Sequence, residues 1–472
     1  MEEKMNSSFK QSLVEKAKEE KKLGKLIILA GPSGAGKSFM ADILVDQFHF
    51  SLLNKYVTRP FRETEIRNIN NGKNIGLKPV RGRFNDGEKE LDIQKQFSTA
   101  RKQAFKNLNL PLRYENYEEL YGFSLDEIDN SIEHGRNVVA IIYNNRVINK
   151  LKNIYGENCQ TCYIHRVDPN DINYFLRMSQ ERGSSTEDAL KRQQQAMNDF
   201  KRYAPTLVNY DHIILNTENN NQRLYQITQH LVSMPNKKMP QTENDSAKIY
   251  VIISTPAAGK NAITKMVNNQ GCLDTLIMPK MAARKRVEKD GEEMICMGDT
   301  LYDMDACDIQ YINYGTTYGI DTKELEERQK DGISSTLILS NIEAIQKLKQ
   351  KFSTALVPIY VHGSPHFKDD YILQHQGDID SPYYQQRIED FDKATELYYE
   401  LFSAEGQNKI GDIEVILNVG DSADLELQLN SIIDYYSKGR NWSKSNRIAY
   451  QNNVRKHQAK YRNTDTKEFL YE

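Results

Sequence analysis

Five apolar residues, Leu26-Ile27-Ile28-Leu29-Ala30, run directly into Gly31-Pro32-Ser33-Gly34-Ala35-Gly36-Lys37-Ser38. The first five read as a fully buried parallel strand, and the next eight fit the phosphate-binding pattern G-x-x-x-x-G-K-[ST] without a mismatch. No other stretch restricts the fold as much. Three glycines let the backbone curl so that successive N–H groups point at one phosphate, and a helix expected from about Lys37 to Gln47 adds the positive end of its dipole. The pattern makes Gly31, Pro32, Ser33, Gly34, Ala35, Gly36, Lys37, Ser38 and Phe39 candidate nucleotide contacts. Lys37 is the expected catalytic charge on the β- and γ-phosphates, and Ser38 the expected Mg²⁺ ligand, with ATP as donor.

The first half continues as strands alternating with helices. Strands are expected at Phe50–Leu53, Val138–Tyr143, Cys162–His165 and Tyr210–Asn216. Helices are expected from Ser124 to about His134, ended by Gly135, then at Arg146–Tyr155 and around Gln222–Val232. Such alternation implies an α/β fold, a parallel sheet with helices on both faces and a lid segment.

With 472 residues the chain is long enough for two or three domains. A net charge of −2 with 27% charged residues excludes a polyelectrolyte that binds nucleic acid or membranes through bulk charge. No apolar run approaches the ~18 residues that span a bilayer. The first 24 residues are rich in Lys and Glu, without an apolar signal core, so a cytoplasmic protein is expected. Five cysteines suit a reducing compartment, and Cys159 and Cys162 read as ordinary buried residues, with Cys162 opening a strand.

The expected organisation is a charged N-terminal helix over 1–24 and a first domain over 25–235 that carries a polar, basic insertion at 64–110. A linker follows at 236–247, then a second domain over 248–436 and a basic, aromatic tail over 437–472. Within the insertion, Leu91 to Leu108 reads as a basic amphipathic helix. The tail, with Trp442, Arg447, Tyr450, Arg455 and Tyr461, is the only stretch whose pattern suits nucleic acid, and a solvated terminus is its commoner meaning.

The second half repeats the first. Lys248–Ile253 restarts the strand, and Ser254-Thr255-Pro256-Ala257-Ala258-Gly259-Lys260-Asn261 superimposes on the first loop at an offset of 223 residues. Two glycines have become Ser254 and Ala257, and the metal-binding hydroxyl has become Asn261. Alanine resists positive φ, so a distorted loop is expected. Tyr311–Ile320 lies over Tyr114–Phe123, and Ser335–Leu339 and Asp412–Asn418 answer the middle and last strands. Between His362 and Arg387 there is no arginine; Gln374, His375 and Gln376 stand where the first half has a basic lid. Losing charges placed beforehand for phosphoryl transfer makes the second domain read as a pseudokinase, one that keeps Lys280, Arg284 and Tyr318 for a phosphorylated ligand and offers a surface for a protein partner.

Two arginines, Arg59 and Arg62, follow a strand end near the first loop, where guanidinium forks suit an acceptor anion. Together with Tyr121-Gly122, Gly135-Arg136-x-Val138-Val139, a helix bearing Arg177, Arg182 and Arg192, and Tyr210-Asp211, they resemble the guanylate kinase family and its relative ribose 1,5-bisphosphate phosphokinase over about 200 residues. The resemblance implies that Arg59, Arg62 and Tyr121 hold the acceptor's phosphate, while Arg177, Arg182 and Arg192 close over the donor. Arg177 and Arg182 would then join Lys37 in catalysis and Arg192 would bind ATP. Departures concern the acceptor. Lys55 stands where the family has serine, Leu112 replaces its base-reading glutamate, and Tyr143-Asn144-Asn145-Arg146 lacks its acidic residue. The run Tyr121 to Asp129 is closer to the Y-G-x-x-x-E-I-D of the ribose-bisphosphate enzymes.

An ATP-dependent phosphotransferase acting on a phosphorylated small acceptor, such as GMP or ribose 1,5-bisphosphate, is therefore expected. The alternatives are a guanylate kinase-like protein-interaction module and a nucleotide-sensing regulator without useful turnover.

Overall fold

β1 (Leu26–Ala30) is buried along its whole length and lies at the centre of a five-stranded parallel sheet. The computed structural model describes residues 23–32, 34–59, 66, 69–71, 76–79, 101–116, 119–166, 169–181, 185–216, 221–237, 247–268, 275–286, 293–296, 304–313, 315–364, 366–374 and 381–437. The expected N-terminal helix, most of the 64–110 insertion, most of the linker and the basic tail fall outside them, as do Ser33, Arg62 and Arg182. Of the expected helix Leu91–Leu108, residues 101–106 are described and are helical.

From β1 the chain enters α1 (Lys37–Phe48), β2 (Ser51–Leu52), β3 (Lys55–Val57) and β4 (Leu77–Pro79). β5 (Leu112–Asn116) and β6 (Glu119–Phe123) precede α2 (Leu125–Glu133), β7 (Val138–Ile141), α3 (Asn145–Tyr155) and β8 (Cys159–His165). Next come α4 (Ile172–Glu181), α5 (Thr186–Tyr203), the 3₁₀ turn Ala204–Asn209, β9 (His212–Leu215) and α6 (Asn221–Ser233). The parallel sheet runs β2-β7-β1-β8-β9, and a second sheet runs β4-β3-β6-β5 with β6 antiparallel to both β3 and β5.

The second half builds the same arrangement. Its elements begin with β10 (Ile249–Ser254), α7 (Lys260–Asn268), β11 (Thr275–Ile277), β12 (Lys280–Ala282) and β13 (Met294–Cys296). β14 (Ile309–Asn313), β15 (Thr316–Ile320), α8 (Thr322–Lys330), β16 (Ser334–Ile338), α9 (Ile342–Phe352) and β17 (Leu356–Gly363) follow. α10 (His366–Gln374), α11 (Pro382–Asp392), α12 (Ala394–Phe402), α13 (Ala404–Ile410), β18 (Glu414–Asn418) and α14 (Ser422–Ser437) complete it. The parallel sheet, β11-β16-β10-β17-β18, has the same order as the first, and the mixed sheet β13-β12-β15-β14 matches β4-β3-β6-β5. In both parallel sheets the first strand lies between the third and the fourth. Connections therefore leave it and its fourth-strand neighbour in opposite directions, opening a crevice at their carboxyl ends.

Two compact units result: Met1–Arg166 with Tyr210–Asn236, and Val167–Asn209 with Lys237–Glu472. The stretch Val167–Asn209, which the sequence reading assigns to the first half, packs within the second unit. There Val208 enters the core formed by Tyr250, Ile252, Ile416, Leu429 and Ile432. Apolar periodicity marks a face as buried but does not say against which sheet.

One strand start differs from expectation. β8 begins at Cys159, not at Cys162, so the two thiols, three apart in a strand, point to opposite faces. Both are fully buried, and burial pushes the Cys159 thiol up to about 12, with the charge of Asp211 adding to the effect. Among the described residues no helix is long and apolar enough to cross a membrane.

Candidate active site

At the carboxyl end of β1 the loop turns through Gly31 at φ 132°, Gly34 at φ 85° and Gly36 at φ 99°. A Cβ on Gly31 would lie 2.3 Å from the carbonyl oxygen of Ile164, and one on Gly36 2.6 Å from Asn216 Nδ2. Both positions therefore require glycine. Asn216, just beyond β9, donates from Nδ2 to the Ala35 carbonyl at 3.0 Å and locks the loop against the sheet. Gly36 is the N-cap of α1 and, lacking a side chain, makes no side-chain cap hydrogen bond to the first-turn N–H groups.

Lys37 Nζ donates to the carbonyls of Gly31 at 2.7 Å and Pro32 at 2.6 Å, and lies 5.9 Å from the centre of the Tyr143 ring. Ser38 and Phe39 are exposed on the first turn of α1. Arg166, immediately after β8, donates from Nη1 to the Gly34 carbonyl at 2.9 Å. In the sequence, Arg166 is marked only by its place directly after a buried strand.

The mixed sheet carries the acceptor candidates. Tyr121 on β6 stacks on Tyr114 of β5, with ring centres 5.2 Å apart and planes inclined by 14°. Lys55 Nζ stands 5.6 Å from the centre of the Tyr121 ring and donates to the Ile141 carbonyl at 3.3 Å. Sequence reasoning registered Lys55 only as a departure, yet it brings a cation to the end of β7, two residues before Tyr143. Arg59 is half-buried just after β3. Its neighbour Thr58 is buried; the Thr58 hydroxyl donates to Glu119 and accepts from the Leu120 N–H at 2.9 Å, fixing the chain as it leaves β3.

Other residues behind the resemblance are structural. Glu127 accepts from Asn54 at 3.0 Å and Tyr56 at 3.3 Å. The Asp211 carboxylate accepts from the Thr161 N–H at 2.8 Å, the Thr161 hydroxyl at 2.6 Å and Lys152 at 3.1 Å. Leu112, 1% exposed, belongs to the core. Arg177 and Arg192 lie on α4 and α5 in the second unit.

The loop of the second unit departs from expectation. Ala257 sits in the left-handed region at φ 54° and Gly259 at φ 106°, so two of the first loop's three left-handed positions are kept, while Ser254, in the place of Gly31, does not adopt positive φ. A residue bearing a Cβ holds that conformation at a cost of about 1–2 kcal/mol. Asn418 Nδ2 donates to the Ala258 carbonyl at 3.0 Å, just as Asn216 does to Ala35. Lys280 Nζ donates to the Ile338 carbonyl at 3.1 Å and lies 5.1 Å from the centre of the Tyr318 ring, reproducing Lys55 and Tyr121. Tyr318 stacks on Tyr311 at 5.5 Å.

No family model matches the chain. A guanylate kinase of Sulfurimonas denitrificans is 25% identical over 201 residues, which span 41% of this chain and 81% of that protein. A crystal structure of guanylate kinase from Anaplasma phagocytophilum aligns at 13% identity and a TM-score of 0.28, covering 45% of this chain and 86% of that chain. The weak sequence likeness and the observed α/β architecture together support a guanylate kinase-like fold.

Proposed function

We propose that the first unit is an ATP-dependent phosphotransferase acting on a phosphorylated small acceptor, and that the second is a degenerate copy without turnover. The observation that carries this reading is the convergence of Lys37 and Lys55 on the end of β7. Lys37 belongs to the phosphate loop and Lys55 to the mixed sheet, and they meet Tyr143 and Ile141 respectively. Both lysines belong to the first unit, which supports donor and acceptor phosphates bound side by side there. ATP binds along Gly31–Phe39, its phosphates on the loop N–H groups. Lys37 exchanges its carbonyl contacts for phosphate oxygens and offsets charge as the phosphoryl group moves. Ser38 is the residue that would hold Mg²⁺, which when bound supplies further charge neutralisation to the donor.

Arg59, Arg62 and Tyr121 bind the acceptor's phosphate in this proposal. Two features favour ribose 1,5-bisphosphate over GMP. Buried Leu112 cannot read a base edge, and Lys55 adds a cation suited to a second anionic group on the acceptor. In the second unit, Asn261 in place of the Ser38 hydroxyl supports the loss of turnover.

A coupled assay of ADP release with GMP, other nucleoside monophosphates and ribose 1,5-bisphosphate tests this reading. Acceptor-dependent ADP release is expected. ATP binding without stimulation by any acceptor would favour the nucleotide sensor, and absence of ATP binding the protein-interaction module. Arg59→Ala should raise the acceptor KM, or lower kcat/KM, at least tenfold, equivalent to about 1.4 kcal/mol for one charge-assisted contact. ATP affinity should barely change; the reverse pattern would mean that Arg59 serves the donor.

A further inference from the structure

The second unit keeps more of an anion site than loss of turnover requires. Its loop holds Ala257 at φ 54° although a Cβ opposes that conformation, and strained backbone of this kind persists where the surroundings over-determine it, as at ligand clamps. Ser254 Oγ, on a residue 2% exposed at the start of this loop, has no hydrogen-bond partner among the described residues. Lys260, the first residue of α7, has Arg387 of α11 and Lys280 of β12 as electrostatic neighbours. Lys280 is in turn fixed by the Ile338 carbonyl and the Tyr318 ring. Arg387, the arginine that ends the arginine-free stretch, is within electrostatic reach of Lys260, and its guanidinium stands 5.7 Å from the centre of the Tyr371 ring.

We propose that the second unit binds a small molecule carrying at least two phosphoryl groups, one on the Ser254–Asn261 loop with Lys260 and the other with Lys280 and Arg387, as a ligand that is not turned over. Gathering three cations around converging N–H groups is unfavourable when the site is empty and is relieved by a polyanion. The charge state of Lys260 reports this. Burial first, then Arg387 and Lys280, push its ammonium down to about 7, against the opposing pull of Asp390 and Glu293. Between pH 7 and 8 much of Lys260 is therefore neutral, and a bound polyanion, which favours the charged form, draws in a proton. Well below pH 7 the lysine is already charged and the uptake disappears.

Calorimetric titration of the full-length chain with ATP in EDTA, and separately with pyrophosphate, tests the proposal when run at pH 7.5 in two buffers of different ionisation heat. Two ATP-binding events per chain are expected. Lys37→Ala should weaken one, while Lys260→Met and Arg387→Ala should each weaken the other at least tenfold. Proton uptake should persist in Lys37→Ala and vanish in Lys260→Met, with far-ultraviolet circular dichroism unchanged in all three. Should Lys260→Met lose its fold, Arg387→Ala alone decides. ATP binding at this site without pyrophosphate binding would identify the ligand as a nucleotide rather than a polyphosphate in general. A single event abolished by Lys37→Ala, or binding indifferent to both second-unit variants, overturns the proposal. The readout is binding in the second unit, so it stands apart from the turnover on which the reading of the first unit depends.

Discussion

Lys37→Ala is expected to lower acceptor phosphorylation by about a hundredfold to a thousandfold, the usual loss when one charge placed for the transition state is removed. The lysine is held within reach of its task. Its ammonium rests on the Gly31 and Pro32 carbonyls at 2.7 and 2.6 Å, so little rearrangement separates the resting contact from one to phosphate. Arg166 lies nearby, but its guanidinium is engaged with the Gly34 carbonyl at 2.9 Å and is not a ready substitute. The fold should survive, because the glycines and Asn216 continue to hold the loop when the two Lys37 contacts are lost. Steady-state kinetics and a thermal melt on the same sample separate the two effects. Wild-type turnover in Lys37→Ala would remove Lys37 from the chemistry.

Glu324→Ala should destabilise the second unit by about 3–5 kcal/mol, the cost of leaving a buried charge without its partner. Arg328 is the largest fully buried side chain among the described residues. Its Nε donates to Glu324 Oε1 at 2.9 Å, and both side chains are 1% exposed. Its Nη1 donates to the Ile277 carbonyl at 3.1 Å and to Ser335 Oγ at 3.5 Å, tying α8 to β11 and β16. Without Glu324 the guanidinium keeps those neutral acceptors and loses its counter-charge. The double replacement Glu324→Leu with Arg328→Met should recover most of the loss, since apolar groups of similar size often replace a buried ion pair at no net cost. Urea denaturation monitored through the second unit checks both variants. A loss below about 1 kcal/mol in Glu324→Ala would mean that water reaches the pair and screens it.

Those two residues also mark the limit of reading the chain without its fold. Thr322–Lys330, TKELEERQK, is a polar helix that on composition belongs to solvent, yet Thr322, Glu324, Leu325 and Arg328 face inward. Their burial follows from the sheet they pack against, and nothing local signals it.

What the sequence determined by itself was governed by near neighbours. Leu26–Ala30 followed by three glycines and a lysine dictated strand, loop and helix, because the φ values that the loop needs are available to glycine at those positions. The alternation of apolar strands with helices dictated the parallel sheet, and the recurrence of tyrosines at a fixed offset gave the stacked pairs Tyr114–Tyr121 and Tyr311–Tyr318. Tertiary structure decided the remainder. It placed Lys55 and Lys280 over their tyrosines, brought Arg387 within electrostatic reach of Lys260, held Ala257 at positive φ and packed Val167–Asn209 with the second unit. Each of these depends on contacts between residues far apart in the chain. Their energies enter only once the sheets have formed, and neither propensity nor periodicity carries them.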